Sequence, residues 1–198
     1  LDETSKEIHA EANVPLAASP AKENKPAKPM RQDYEYVRRG TAAIFMIYEP
    51  LTGRCHADST DQRTAIDYAH RIEFLCDVMY PTADKITLVQ DNLNTHKVGS
   101  LYQAFPPEKA RRLAQRLEIH YTPNHGSWLN MAEIALRVLS DQCIKTRFPS
   151  RGELDAAIEA WVKRNRKAPM RTDCQFTTAD ARIKLKRLYP KVTPESTP

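Results

Sequence analysis

The chain has 198 residues, 41% hydrophobic and 28% charged, the proportions of one soluble globular domain with a sizeable core. No apolar run approaches the roughly 20 residues of a bilayer span, Leu1-Asp2-Glu3-Thr4 is no signal peptide, and the scattered Cys55, Cys76, Cys143 and Cys174 argue against a zinc site and for reduced thiols in a cytoplasmic protein. The net charge of +5 is uneven: residues 1–150 hold 19 Lys/Arg against 19 Asp/Glu, and residues 151–198 hold 11 against 6.

Leu1-Asp2 reads as the middle of a strand, which leads us to expect an upstream half before it. Residues 11–31, with Pro15, Pro20, Pro26 and Pro29, predict an inserted surface loop. Residues 41–48 (TAAIFMIY) predict a strand, and a Pro- and Gly-bearing turn returns it as a hairpin over 54–60. Ala65, Ala69, Ile72, Cys76 and Met79 make one helical stripe, capped by Thr60 and ended by Pro81. The run 85–90 (KITLVQ) predicts a central strand buried on both faces, and Pro106-Pro107 open a helix through Leu117. Residues 119–122 form another strand. Ser127 then caps a helix whose buried stripe is Met131, Ile134, Ala135, Val138 and Leu139. Ser150 with Glu153 caps the next helix, striped by Leu154, Ile158 and Trp161, and a last helix spans 178–188. This order predicts an α/β domain over 1–190, with a mixed central sheet flanked by helices and a disordered tail at 191–198. It is the element order of a ribonuclease H-like fold. The basic last quarter is either a footprint for nucleic-acid backbone or a solvated helix face.

Three acids stand out by position. Asp2 is in the first strand, Asp91 ends a central strand, and Glu133 is on a helix off its buried stripe. Sites in open α/β sheets form at the carboxyl ends of strands. Cutting a phosphodiester needs an activated nucleophile and a stabilised leaving oxygen, which two metal ions about 3.5–4 Å apart provide. Magnesium takes hard oxygen ligands, and clustered carboxylates repel unless cations separate them. Each acid also has an ordinary reading. Asp91 can be a turn residue, Asp2 a terminal residue, and Glu133 an i,i+4 surface partner of Arg137.

The motifs around these acids resemble a known family. Asp91-Asn92-Leu93-Asn94-Thr95-His96 is similar to the second-aspartate motif of the mariner-related bacterial insertion-sequence transposases, a branch of the DDE superfamily. The run from His120 to Glu133 (HYTPNHGSWLNMAE) resembles their third-acid motif, in which a Pro-containing turn leads into a helix and a Leu-Asn pair precedes the acid. Leu1-Asp2-Glu3 resembles the strand bearing the first aspartate. DYEYVRRGT at 33–41 and FTTADAR at 176–182 look like one branch of the family.

The resemblance implies a DDE transposase catalytic domain that cleaves DNA at element ends and joins it to target DNA. Asp2, Asp91 and Glu133 would be the catalytic, metal-binding triad, converging at one edge of the sheet around two Mg2+ or Mn2+ ions. Asn92, His96, His125 and Asn130 would orient the acids or touch DNA. Arg38 and Arg39, beside Tyr34 and Tyr36, and Arg182, Lys184, Lys186 and Arg187 would bind DNA backbone. Trp128 is a core anchor or a base-stacking platform. The partners implied are double-stranded DNA and a second copy of the chain, a homodimer, with no membrane and a place at the nucleoid. Two departures matter: the family's N-terminal helix-turn-helix region is not in this sequence, and 41 residues separate Asp91 from Glu133, more than in many relatives. The alternatives are a truncated or decayed transposase that binds DNA without cutting, and another ribonuclease H-like nuclease such as a resolvase.

Overall fold

The computed structural model describes residues 1–21, 26–31, 34–123, 126–173 and 175–186. His125, Arg187 and the tail at 191–198 lie outside them, as do Asp33, Asn124 and Cys174.

β1 (Asp2–Glu11), β2 (Tyr36–Glu49) and β3 (Arg54–Thr60) form an antiparallel sheet in that order. β2 is the strand buried on both faces, from Ala42 through Ile47. A run of seven apolar residues has no solvent face to offer, so it takes the middle of the sheet. Its first half, from Tyr36 to Thr41, runs out beyond the core and pairs with the far end of β1. There the ladder shifts register between Glu7 and His9, opposite Gly40, whose φ of 99° suits a bulge that a side chain would resist. In the stretch between β1 and β2, the described residues are exposed apart from Pro15, and two antiparallel bridges, Leu16 to Arg31 and Ser19 to Lys28, cross it.

β4 (Ile86–Gln90) and β5 (Leu117–Tyr121) make a separate parallel pair. The expected single mixed sheet is thus two sheets. At the seam the Leu1 amino group donates to the Val89 carbonyl at 2.9 Å, so β1 abuts β4 without a ladder between them. β4 is also not buried on both faces. Leu88 and Gln90 point inward, while Thr87 is exposed and Val89 nearly half so.

Helices pack on both sides of the antiparallel sheet. On one side lie α4 (Met131–Leu139) and α5 (Arg151–Lys167), against Ile44, Met46 and Ala57. On the other lie α1 (Ala65–Phe74), α2 (Gly99–Ala104) and α3 (Pro107–Gln115), with Ile47, Ile72, Leu88 and Leu113 in their shared core. α1 continues through a π-helical turn, Leu75–Met79. Its cap is Thr64, not Thr60: Thr64 and Asp67 form a reciprocal capping box. α5 is capped by Ser150 and buries Leu154, Ile158 and Trp161. α6 (Thr178–Lys184) has its own box from Thr177 and Asp180.

The helix carrying Glu133 departs from expectation in two ways. Ser127–Leu129 is a 3-10 turn, and Asn130 is the cap, accepting the Ala132 N–H at 3.2 Å. The buried stripe is Ala132, Ala135, Leu136 and Leu139, one position on from the predicted one, with Ile134 exposed and Met131 and Val138 only partly covered. The small Ala132 and Ala135 bring the helix close to the sheet, and Glu133 keeps its exposed place.

Candidate active site

Asp2, Asp91 and Glu133 line one open cleft of about 700 Å³, together with Lys6, Arg137 and Lys145. Three separate elements bring them there. β1 starts at Asp2, Asp91 follows the last residue of β4, and Glu133 is in the first turn of α4. Asn130 ties the first and third. Its side chain caps α4 with one end and donates to the Leu1 carbonyl at 2.9 Å with the other, itself 2% exposed. Asn130 therefore couples a helix start to a strand start and is buried away from any DNA.

Asp91 is held in a tight turn. Its Oδ1 accepts the Leu93 N–H at 3.1 Å and faces His96 Nδ1 at 2.7 Å. His96 is fully buried, which rules out contact with DNA. Its other nitrogen, Nε2, lies 2.9 Å from Glu3 Oε2, whose side chain is 3% exposed. The two atoms are off line for a well-formed hydrogen bond, and we read the contact as an ion pair. Burial pulls the His96 pKa down, but the carboxylates of Glu3 and Asp91 beside it outweigh that and the net shift is upward. Around them, Tyr68 Oη donates to Gln90 Oε1, and Gln90 Nε2 and Tyr121 Oη both donate to the His96 carbonyl, each at 2.9 Å. Asn92 is exposed and donates through Nδ2 to the Thr122 carbonyl at 2.5 Å, joining the ends of β4 and β5.

Burial, aided by the charges of Asp91 and Glu3 and opposed by a bond from the Glu3 N–H, raises the Asp2 carboxyl from 3.8 to about 6. Asp91 is thus near enough to act on Asp2, and Glu133 lines the same cleft. Among the described residues no three Asp, Glu, His or Cys side chains form a ready cage for an ion. The donor set nonetheless fits a hard divalent cation: carboxylate oxygens, two of them mutually repelling, facing one open cleft. Asp2, Asp91 and Glu133 would hold it.

A carboxyl with a higher pKa folded than unfolded binds more protons when folded, so folding stability falls as pH rises between 3.8 and about 6. The cation-free chain should therefore melt at a lower temperature at pH 7 than at pH 5, over and above its other titrations. Mg2+ or Mn2+ should recover the difference at pH 7, since a ligand that binds only the folded form stabilises it. Asp2→Asn should flatten both responses. Identical melting curves for wild type and Asp2→Asn, with and without metal, would count against the cleft as a cation site.

The expected basic contacts fall in several places. Arg38 and Arg39 are on the outer half of β2, where Arg38 pairs with His9, roughly 23 Å along the strand from Asp2 at about 3.3 Å per residue. They cannot line the acid cleft. Tyr36 stacks on His9 at 4.0 Å between ring centroids, and Tyr34 is exposed. Arg182, Lys184 and Lys186 are exposed on and just after α6. Lys184 Nζ lies 4.8 Å over the Trp128 ring, which meets Phe176 edge to face at 5.3 Å. Trp128 is thus neither core anchor nor free platform: it docks α6 beside the turn that leads to Glu133. Arg137 turns from Glu133 to Asp141, at 3.6 Å, so the i,i+4 pair does not form.

Sequence reasoning missed Glu3 and the cleft cations. Lys6 was legible, since residues 2, 4 and 6 of a strand share a face. Lys145 carries no local signal.

A family model described as DDE superfamily endonuclease matches residues 5–155. The match includes Asp91 and Glu133 and begins just after Asp2 and Glu3. No curated protein and no solved structure matches the chain.

Proposed function

We propose that this chain, which belongs to the DDE superfamily of endonucleases, cleaves DNA at the ends of a mobile element and joins the freed end to target DNA, as the mariner-related bacterial transposases do. The family makes it a DNA-cutting enzyme with a divalent-metal chemistry. The observation that supports the finer reading is the one open cleft that Asp2, Asp91 and Glu133 line from three elements. The antiparallel β1-β2-β3 sheet meets the parallel β4-β5 pair where the Leu1 amino group bonds to the Val89 carbonyl. That arrangement supports a ribonuclease H-like reading of the single domain.

In this reading Asp2, Asp91 and Glu133 bind two Mg2+ or Mn2+ ions. Bound there, the ions supply water activation and charge stabilisation at the leaving oxygen. The chain's own residues do the rest. His96 orients the Asp91 carboxylate, Asn130 sets α4 against β1, and Asn92 fixes the ends of β4 and β5. Lys6, Arg137 and Lys145, which line the same cleft, hold the phosphates on either side of the scissile bond. Hydrolysis frees a 3′-hydroxyl, which attacks a target phosphodiester by transesterification. No covalent bond to the protein forms. Two copies of the chain acting on two element ends, at the nucleoid, complete the reading. No helix among the described residues is long and apolar enough to cross a membrane.

The test is nicking of supercoiled plasmid by the purified chain. Nicks should accumulate with Mg2+ or Mn2+ and not with EDTA. A folded chain that binds plasmid and leaves it intact with either metal would favour a DNA-binding relic instead.

A further inference from the structure

We infer that Glu3 is a positioning residue: through His96 it forms a buried carboxylate–imidazole–carboxylate bridge that fixes where Asp91 stands relative to Asp2. The inference rests on the reading of Asp2 and Asp91 as cation ligands. It begins with strand alternation. Successive side chains of β1 point to opposite faces; Asp2 and Glu3 both border the cleft, but the Glu3 side chain is only 3% exposed and is directed to the buried side. Glu3 then meets His96, whose ring is fully buried, at 2.9 Å. The opposite ring nitrogen meets Asp91 at 2.7 Å. One strand thus supplies a cleft acid at one residue and the anchor of the second cleft acid at the next.

The bridge is rigid for physical reasons. A buried carboxylate without a partner is costly, so Glu3 and His96 hold each other in place. His96 is further confined by Tyr68, whose ring is 4.9 Å away, and by the two donors on its carbonyl. The Asp91 carboxylate is held through Oδ1, which meets both His96 and the Leu93 N–H. An imidazole or carboxylate behind a ligating group commonly governs metal affinity in this manner. Two ligands of like charge gain most from such a brace, because repulsion would otherwise drive them apart.

Mn2+ binding to the DNA-free chain, followed by electron paramagnetic resonance, tests the bridge without reference to activity. Glu3→Gln keeps size and hydrogen-bonding capacity while removing the charge. It should weaken Mn2+ binding by about 10–100-fold in protein that remains folded by circular dichroism. His96→Asn cuts the bridge at its middle, should match that loss, and carries the same test should Glu3→Gln not fold. The double variant should be little worse than either single one, because both remove the same brace. Ile158→Val, which trims the core beneath α5, should lower stability modestly and leave the Mn2+ affinity alone. A Glu3→Gln and a His96→Asn that both bind Mn2+ as wild type does would overturn the bridge. A wild-type chain that binds no Mn2+ would overturn the cation reading on which it rests.

Discussion

Asp91→Asn should lower metal-dependent nicking by about a thousandfold or more while leaving the fold intact. The substitution is nearly isosteric. The Asn side-chain oxygen still accepts from Leu93 N–H and from His96, so the turn after β4 persists. What is lost is the negative charge. A ligand to a catalytic cation supplies several kcal/mol of transition-state stabilisation, and about 4 kcal/mol corresponds to a thousandfold in rate. Glu133→Gln should cost as much, because it removes the third acid lining the cleft. Plasmid-nicking rates with Mn2+, at matched circular dichroism and melting temperature, measure both. Residual nicking within about tenfold of wild type in either variant would remove that residue from the chemistry. Loss in Asp91→Asn with retention in Glu133→Gln would point to a two-acid site centred on Asp2 and Asp91.

Much of this fold can be read locally because local forces decide it. β3 appears where the hairpin pattern puts it, and α5 follows its Ser150 cap and its Leu154, Ile158 and Trp161 stripe. Where the reading slips, a competing local signal wins. Thr64-Ala65-Ile66-Asp67 is a better cap sequence than Thr60, since Asp67 can answer the Thr64 backbone. Asn130 starts α4 three residues later than Ser127 would, and with it the apolar stripe rotates onto Ala132 and Leu136. A pattern of large apolar residues favours Met131 and Ile134, while the sheet selects small ones for close approach. α2 has six residues and no room for a periodic pattern.

The site is legible in its acids and illegible in its supports. Asp91 and Glu133 come with long motifs, so a sequence can name them. The contact between Glu3 and His96 spans 93 positions and exists only once β1 is laid beside β4. Burial of His96 likewise depends on Tyr68 from α1 and on the core that α1 and α2 close over it. The charge balance misleads for a related reason. The first 150 residues are neutral overall, yet folding brings Lys6, Arg137 and Lys145 into one cleft with Asp2, Glu3, Asp91 and Glu133.

That clustering sets the second large expectation. Replacing Lys6, Arg137 and Lys145 together by Gln should flatten the dependence of log affinity for duplex DNA on log salt by roughly 2–3, at about 0.9 per phosphate released. At about 0.1 M salt the same slope amounts to a several-hundredfold loss of affinity. Arg137 and Lys145 have side chains 82% and 77% exposed, and among the described residues their ion pairs are long ones to Asp141, at 3.6 and 3.9 Å. Both are therefore available to phosphate. Lys6 donates to the Thr146 carbonyl at 2.8 Å, which leaves its ammonium two further donors. The comparison is Lys184→Gln with Lys186→Gln on the basic C-terminal segment. These should flatten the slope by less than 2, because Lys184 already rests on the Trp128 ring. Neither set should alter sequence preference, since phosphate contacts position a protein and do not select a sequence. Fluorescence anisotropy over a salt series reads both slopes. If the cleft triple leaves the slope unchanged and the C-terminal pair flattens it, the duplex runs along α6, and the cleft receives only the strand being cut.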